Sequence, residues 1–181
     1  MTIGKAYLRI VEDRFRRVKE LGDNTFRQLS KEDFHQTSQE QSNSIAIIVK
    51  HLSGNMKSRW SDLLTSDGEK PFRNRDQEFE DPHMSKEAIL ESWEEGWSIL
   101  LTAIGRLTEE DLLKTIYIRS EGHVVLEAIE RQMAHYAYHV GQIVYIGKES
   151  KGEQWESLSI PKGKSKEYEK EMKEIHQDRA F

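Results

Sequence analysis

Apolar side chains in this sequence recur every three to four positions along four long stretches, the pattern of helices with one dry face. Between Lys5 and Leu21 they are Tyr7, Ile10, Val11, Phe15 and Val18, and Gly22-Asp23-Asn24 predicts a stop. A second stretch begins at Ser42-Asn43-Ser44, residue types suited to capping a helix, and carries Ile45, Ile48, Val49, Leu52, Met56 and Leu63. The third opens at Ser85-Lys86-Glu87 and aligns Ile89, Trp93, Trp97, Leu100, Ile104 and Leu107. The fourth runs from about His123 to Lys148 with Val125, Ile129, Met133, Val140 and Val144 on its apolar side. Residues 66–82, with two prolines and an Asp67-Gly68 turn signal, read as a long charged connection between the second and third helices. The expected fold class is all-α.

A short echo organises the four. Leu29-Ser-Lys-Glu-Asp-Phe34 follows the first helix and Leu107-Thr-Glu-Glu-Asp-Leu112 the third, and a histidine-bearing helix comes next each time. A duplication would pack the halves about a pseudo-twofold axis and let the histidines of the second and fourth helices meet. Ser/Thr followed by acids is also an ordinary helix-start signal, which accounts for the match without duplication. The 181 residues fit one domain spanning 1–181, a bundle over about 3–150 followed by a C-terminal arm over 151–181.

Composition narrows the chemistry. Charged residues make up 33% and apolar ones 36%, no apolar run reaches about 18 residues, and the opening Met1-Thr-Ile-Gly-Lys lacks a leader's build, so a soluble, cytoplasmic protein without membrane contact is expected. A net charge of -5 argues against nucleic acid as a partner, which ordinarily leaves a basic footprint. The absence of cysteine removes thiolate metal sites and a cysteine nucleophile, leaving His, Asp and Glu as ligands for any transition metal.

Seven histidines are present, and His135-Tyr-Ala-Tyr-His139 places two of them four residues apart. At 100° per residue His135 and His139 share one shoulder of their helix with Ala128, Gln132 and Gln142, while His51 lies on a shoulder of the second helix beside Ser44, Asn55 and Ser58. Two imidazoles at i and i+4 can share one metal, and a third from a neighbouring helix completes a face with positions open to water or substrate. Spacing alone is equally served by three ordinary histidines bonded to water or backbone.

Asn43-Ser-Ile-Ala-Ile-Ile-Val-Lys-His-Leu-Ser-Gly-Asn-Met-Lys-Ser-Arg-Trp60, Asp67-Gly-Glu-Lys-Pro-Phe-Arg-Asn-Arg-Asp-Gln-Glu-Phe79, His135-Tyr-Ala-Tyr-His-Val-Gly-Gln-Ile143 and Leu158-Ser-Ile-Pro-Lys-Gly163 together resemble the DinB superfamily, most of all its uncharacterised Bacillus-type branch. The resemblance runs along almost the whole chain. It implies a four-helix bundle of DinB/YfiT type with one divalent transition metal, zinc or nickel first and iron or manganese next, held by one histidine of the second helix and two of the fourth. Those positions match His51, His135 and His139. It further implies a homodimer. Some relatives resemble thiol S-transferases that join a low-molecular-weight thiol such as bacillithiol or mycothiol to an electrophile in detoxification or stress response, whereas many have no assigned activity. Fold-level kinship does not choose between such a transferase, a metal-dependent hydrolase using a loop acid (Glu69, Asp76 or Glu78) as base, and a non-catalytic metal-binding module.

Further residues have two readings each. Arg73 and Arg75 could hold an anionic substrate in bidentate fashion, or belong to a solvated loop tied by its own ion pairs. Arg59, two turns after His51, shares that ambiguity. Asn55 and Gln142, one turn from the histidines, could bond to the ligands or substrate, or cap neighbouring backbone. The hydroxyl of Tyr138 or Tyr136 could reach a metal-bound water. Trp93 and Trp97 fall on an apolar stripe and read as core, and His35, His83, His123 and His176 read as turn or surface residues.

Overall fold

Hydroxyl caps set where three of the long helices begin. Thr2, Ser44 and Ser85 accept from the backbone N–H of Lys5, Ile47 and Ala88 at 3.3, 3.3 and 3.2 Å, which satisfies donors that a helix start leaves unpaired. A computed structural model describes residues 1–37, 39 and 41–176. Among these, α1 spans Ile3–Gln28, α2 Ile45–Trp60, α3 Lys86–Arg106, α4 Val125–Lys151 and α5 Ser165–Ile175. Helix α1 packs on α4 and α3, and α2 packs on α3 and α4, so the four long helices enclose one core. No helix among the described residues is long and apolar enough to cross a membrane.

Each long helix contributes one aromatic ring to the middle of that core. Phe15 of α1 lies 6.0 Å from Trp60 of α2, 6.5 Å from Trp97 of α3 and 6.1 Å from Tyr136 of α4, in edge or tilted contacts. Trp97 and Tyr136 are a further 5.9 Å apart. Such pairs add to the burial of large apolar surfaces, which is the dominant stabilising term. Trp93 and Trp97 are buried as the helical stripe predicts.

Three expectations are corrected. Helix α1 does not stop at Gly22-Asp23-Asn24 but continues to Gln28. The glycine instead admits an indole, since a Cβ at position 22 would lie 2.5 Å from Trp93 Cζ2, and Asp23 accepts the Trp93 Nε1–H at 2.7 Å. Leu63 lies beyond α2, which ends at Trp60. The fourth helix starts at Val125 rather than near His123, because the segment before it is an antiparallel hairpin of β1 (Thr115–Ile118) and β2 (Glu121–Val124), with Thr115 opposite Val124 and Ile118 opposite Glu121.

That hairpin turns on Arg119 and Ser120, both at positive φ (55° and 64°), without the glycine or asparagine that usually marks such a turn. Asp67 compensates from the long connection by accepting the N–H groups of Arg119 and Ser120 at 2.9 and 2.8 Å. The two echo segments both form short 3₁₀ turns, Glu32–Phe34 and Glu109–Asp111, at equivalent places after α1 and α3. The arm meets the C-terminal end of α1, where Gln28 exchanges hydrogen bonds with the Glu156 backbone, and α5 buries no residue; positions 177–181 of the expected arm lie outside the described residues.

Trp97→Ala, by emptying the point where all four helices touch, is expected to cost about 3–5 kcal/mol. Urea unfolding of the metal-free variant beside the wild type checks it, and a loss below about 1 kcal/mol contradicts the central role given to this ring.

Candidate metal centre

Helix α2 is buried on most of its circumference, with only Lys50, Gly54 and Lys57 partly exposed, so a polar side chain on it must find partners inside the protein. His51 is such a side chain, 4% exposed. Its direction follows from the neighbouring helix. Tyr136 is anchored in the aromatic core and its hydroxyl accepts from Trp60 Nε1 and donates to Asn55 Oδ1, both at 2.9 Å. With Tyr136 turned inward, His135 and His139 emerge on the flank of α4 that faces His51.

The three imidazoles converge. One ring nitrogen from each of His51, His135 and His139 lies within 4.8 Å of the others, and Nε2 of His51 is 3.2 Å from Nε2 of His135. Among the described residues this is the group of histidine and carboxylate side chains spaced to hold a metal ion. His51 Nδ1 is 2.9 Å from Glu78 Oε2, and His139 Nδ1 is 2.8 Å from Gln142 Oε1. Both partners are acceptors, so Nδ1 is the donor in each of these rings, which in the neutral tautomer leaves Nε2 as the nitrogen that can bind a metal. Burial, then the charges of His139 and His51 and of Arg73 and Arg59 beyond them, pushes His135 down to about 3. Burial also lowers His139 despite its bond to Gln142. Imidazole nitrogens crowded at this distance fit a divalent cation, which takes neutral imidazole as ligand.

The long connection closes over this group. Phe79 stacks on the His51 ring with centroids 4.8 Å apart, and Arg73 grips Glu78 through Nε to Oε1 at 2.8 Å and Nη2 to Oε2 at 2.9 Å. Burial raises the Glu78 carboxyl, but the bonds from Arg73 and His51 outweigh it and leave the group below its ordinary value. Glu69 is met by Arg59 at 3.2 Å, Arg119 at 2.9 Å and Arg73 at 3.9 Å, which joins α2, the hairpin and the connection.

The structure sorts the remaining candidates. Gln142 bonds to a histidine of the triad, and Tyr138, largely exposed, accepts from Gln142 Nε2 at 3.1 Å and so reaches the centre through that amide. Asn55 serves Tyr136 rather than a histidine, and Tyr136 points into the core, where burial raises its phenol above the ordinary range. Arg59 is buried and donates to the Gly68 carbonyl as well as to Glu69. Arg73 is not a solvated loop residue, since its side chain is 2% exposed, whereas Arg75 is exposed and is not brought to the histidines. His123 corrects its reading as a surface residue: it is buried beside Glu121, Glu127 and Arg131, apart from the triad. His35 sits at a turn, bonded to Asp81 and the Met84 carbonyl.

In the sequence Glu78 stands out only as one of several loop acids. The signal that finds it is Gly54, an isolated glycine inside a helix three residues after His51: a Cβ there would overlap Glu78 Oε1. Beside the centre, Tyr138 and Gln142 also line a cavity of about 690 Å³ with Gln41, Asn43, Ile48 and Tyr145.

A family model described as "Protein of unknown function (DUF1572)" matches residues 2–164, which takes in all three histidines, the connection and the hairpin. No curated protein matches the chain.

The lowered His135 makes the metal-free fold acid-sensitive. In the unfolded chain this imidazole takes a proton near pH 6.5, and in the fold it does so only near 3, so the unfolded state binds more protons between those values. Stability of the metal-free protein is therefore expected to fall as pH drops from about 6.5 toward 3. His135→Asn should flatten that decline, which thermal unfolding in a pH series measures; an unchanged slope contradicts the assignment.

Proposed function

We propose that this chain, which belongs to the DUF1572 family, is a divalent-metal-binding protein of the DinB type, with its four long helices forming the bundle and His51, His135 and His139 holding the ion. The observation that carries this reading is the convergence of one imidazole nitrogen from each of three histidines within 4.8 Å, at a place where no carboxylate replaces any of them. A three-histidine face leaves coordination open to an exogenous ligand, as catalytic sites do. A bound divalent ion would act there as a Lewis acid, lowering the pKa of a thiol or water.

The chain's own groups supply the rest. Gln142 and Glu78 fix the rings of His139 and His51 by their Nδ1 protons, and Phe79 shields one face of His51 from water. The cavity beside Tyr138 and Gln142 is large enough for a small molecule. Within this reading the activity is transfer of a low-molecular-weight thiol, of the bacillithiol kind, to an electrophile. The pairing of two copies belongs to the same reading and is checked by light scattering.

One observation favours a second reading, a metal-binding module without turnover. Both oxygens of Glu78 are committed to Arg73 and His51, so the loop acid nearest the histidines is not free to serve as a general base, which removes it from the hydrolase reading.

Untagged protein purified without chelator is expected to hold about one transition metal per chain by mass spectrometry, and a His135→Ala/His139→Ala variant to hold none. A wild type that is empty and refuses zinc and nickel on titration removes the metal from the proposal. With the metal established, conjugate formation from a low-molecular-weight thiol and a halogenated acceptor separates transferase from module, the latter losing thermal stability on metal removal with no product formed.

A further inference from the structure

The three imidazoles are not equivalent, and the difference lies in what stands behind each. His139 is backed by a neutral amide, Gln142, on an open flank next to the exposed Tyr138. His51 is backed by a carboxylate, Glu78, whose side chain is 7% exposed and whose two oxygens also take the parallel N–H groups of Arg73. This arrangement is built from three separate places in the chain. Gly54 of α2 leaves the helix surface bare where Glu78 must sit, the turn Gln77–Phe79 delivers Glu78 and the shielding Phe79 together, and Arg73 sets the carboxylate plane from five residues upstream. An ion pair used only to fasten the connection would not require a carboxylate oxygen at hydrogen-bond distance from the imidazole. Here that oxygen lies 2.9 Å from Nδ1, which fixes the proton on that nitrogen and makes Nε2 the stronger electron donor.

Resting on the metal-centre reading, we infer that Glu78 is a positioning residue of the centre, acting through His51, and that Arg73 holds Glu78 in the required plane. The 66–82 connection is then part of the metal site. His51 becomes a stronger donor than His139, and displacing the connection weakens the hold on the metal without touching a ligand.

The test compares zinc affinity, read by competition with a chromophoric chelator, and the visible absorption of the cobalt(II)-substituted protein. Glu78→Gln retains shape and an acceptor oxygen but removes the charge. Gly54→Ala leaves every charge in place and pushes the carboxylate away, and it carries the test by itself if the charge change unfolds the connection. Both variants, with wild-type helical content by circular dichroism, are expected to bind zinc about 10–100-fold more weakly and to shift the cobalt bands. Zinc affinity within about twofold of wild type, together with an unshifted cobalt spectrum in both, overturns the inference and leaves Glu78 and Arg73 as fasteners. A wild type that takes up neither zinc nor cobalt overturns the metal reading itself, an outcome separated from the first because it does not depend on the variants.

Discussion

The contact of Phe15, Trp60, Trp97 and Tyr136 is the constraint from which the rest of the structure follows. One ring from each long helix meets at the same level, so the azimuth of every helix is fixed relative to the other three. For α4 the consequence is chemical. Tyr136 occupies the position between His135 and its turn-mate His139, and its hydroxyl is engaged by Trp60 and Asn55 on α2. Helix α4 cannot rotate without giving up both the aromatic packing and a buried hydroxyl's partners, a loss that comes to several kcal/mol. The convergence of the histidines on one point is therefore set by residues that bear no metal-binding group.

A second layer of order is electrostatic and lies in the connection. Exposed ion pairs contribute little, about 0–1 kcal/mol, and those along α1 and α5 belong to that class. Arg73 with Glu78 differs because both side chains are almost fully enclosed; deleting one partner of such a pair costs about 3–5 kcal/mol, since the other charge is left stranded. Glu69 gathers Arg59 and Arg119, and Asp67 takes the hairpin turn, so a segment rich in charge and proline is held along much of its length.

The helices were legible in the sequence because their apolar spacing reports a burial pattern directly, and Ser44 and Ser85 announced their starts. What failed did so for identifiable reasons. Gly22 carries the same letter whether it ends a helix or admits an indole, and only the position of Trp93 decides between them. The hairpin comprises two four-residue strands around Arg119-Ser120, too short for alternation to stand out and turned by residues that hold positive φ only with help from Asp67. Helical phase placed His135 and His139 on one shoulder and His51 on another, which is compatible with their convergence, while the triad itself came from the family resemblance. For Gln142 the sequence left a bond to the histidine and a backbone cap equally open, and the structure shows the former. The roles of Arg73 and Glu78 were not, because they depend on the path of an irregular segment over α2, which no periodicity encodes.

Gly54 has a consequence for how diverged chains of this architecture are compared. A glycine in mid-helix costs about 1 kcal/mol against alanine, a cost offset where something large must come close. In this protein that something is the carboxylate behind a histidine. Position 54 and position 78 thus form a two-letter criterion: a chain with glycine at the first and an acid at the second can wrap its connection onto the helix. A bulkier residue at the first would force that carboxylate out of its present seat, and the histidine it backs would work with a different electronic balance.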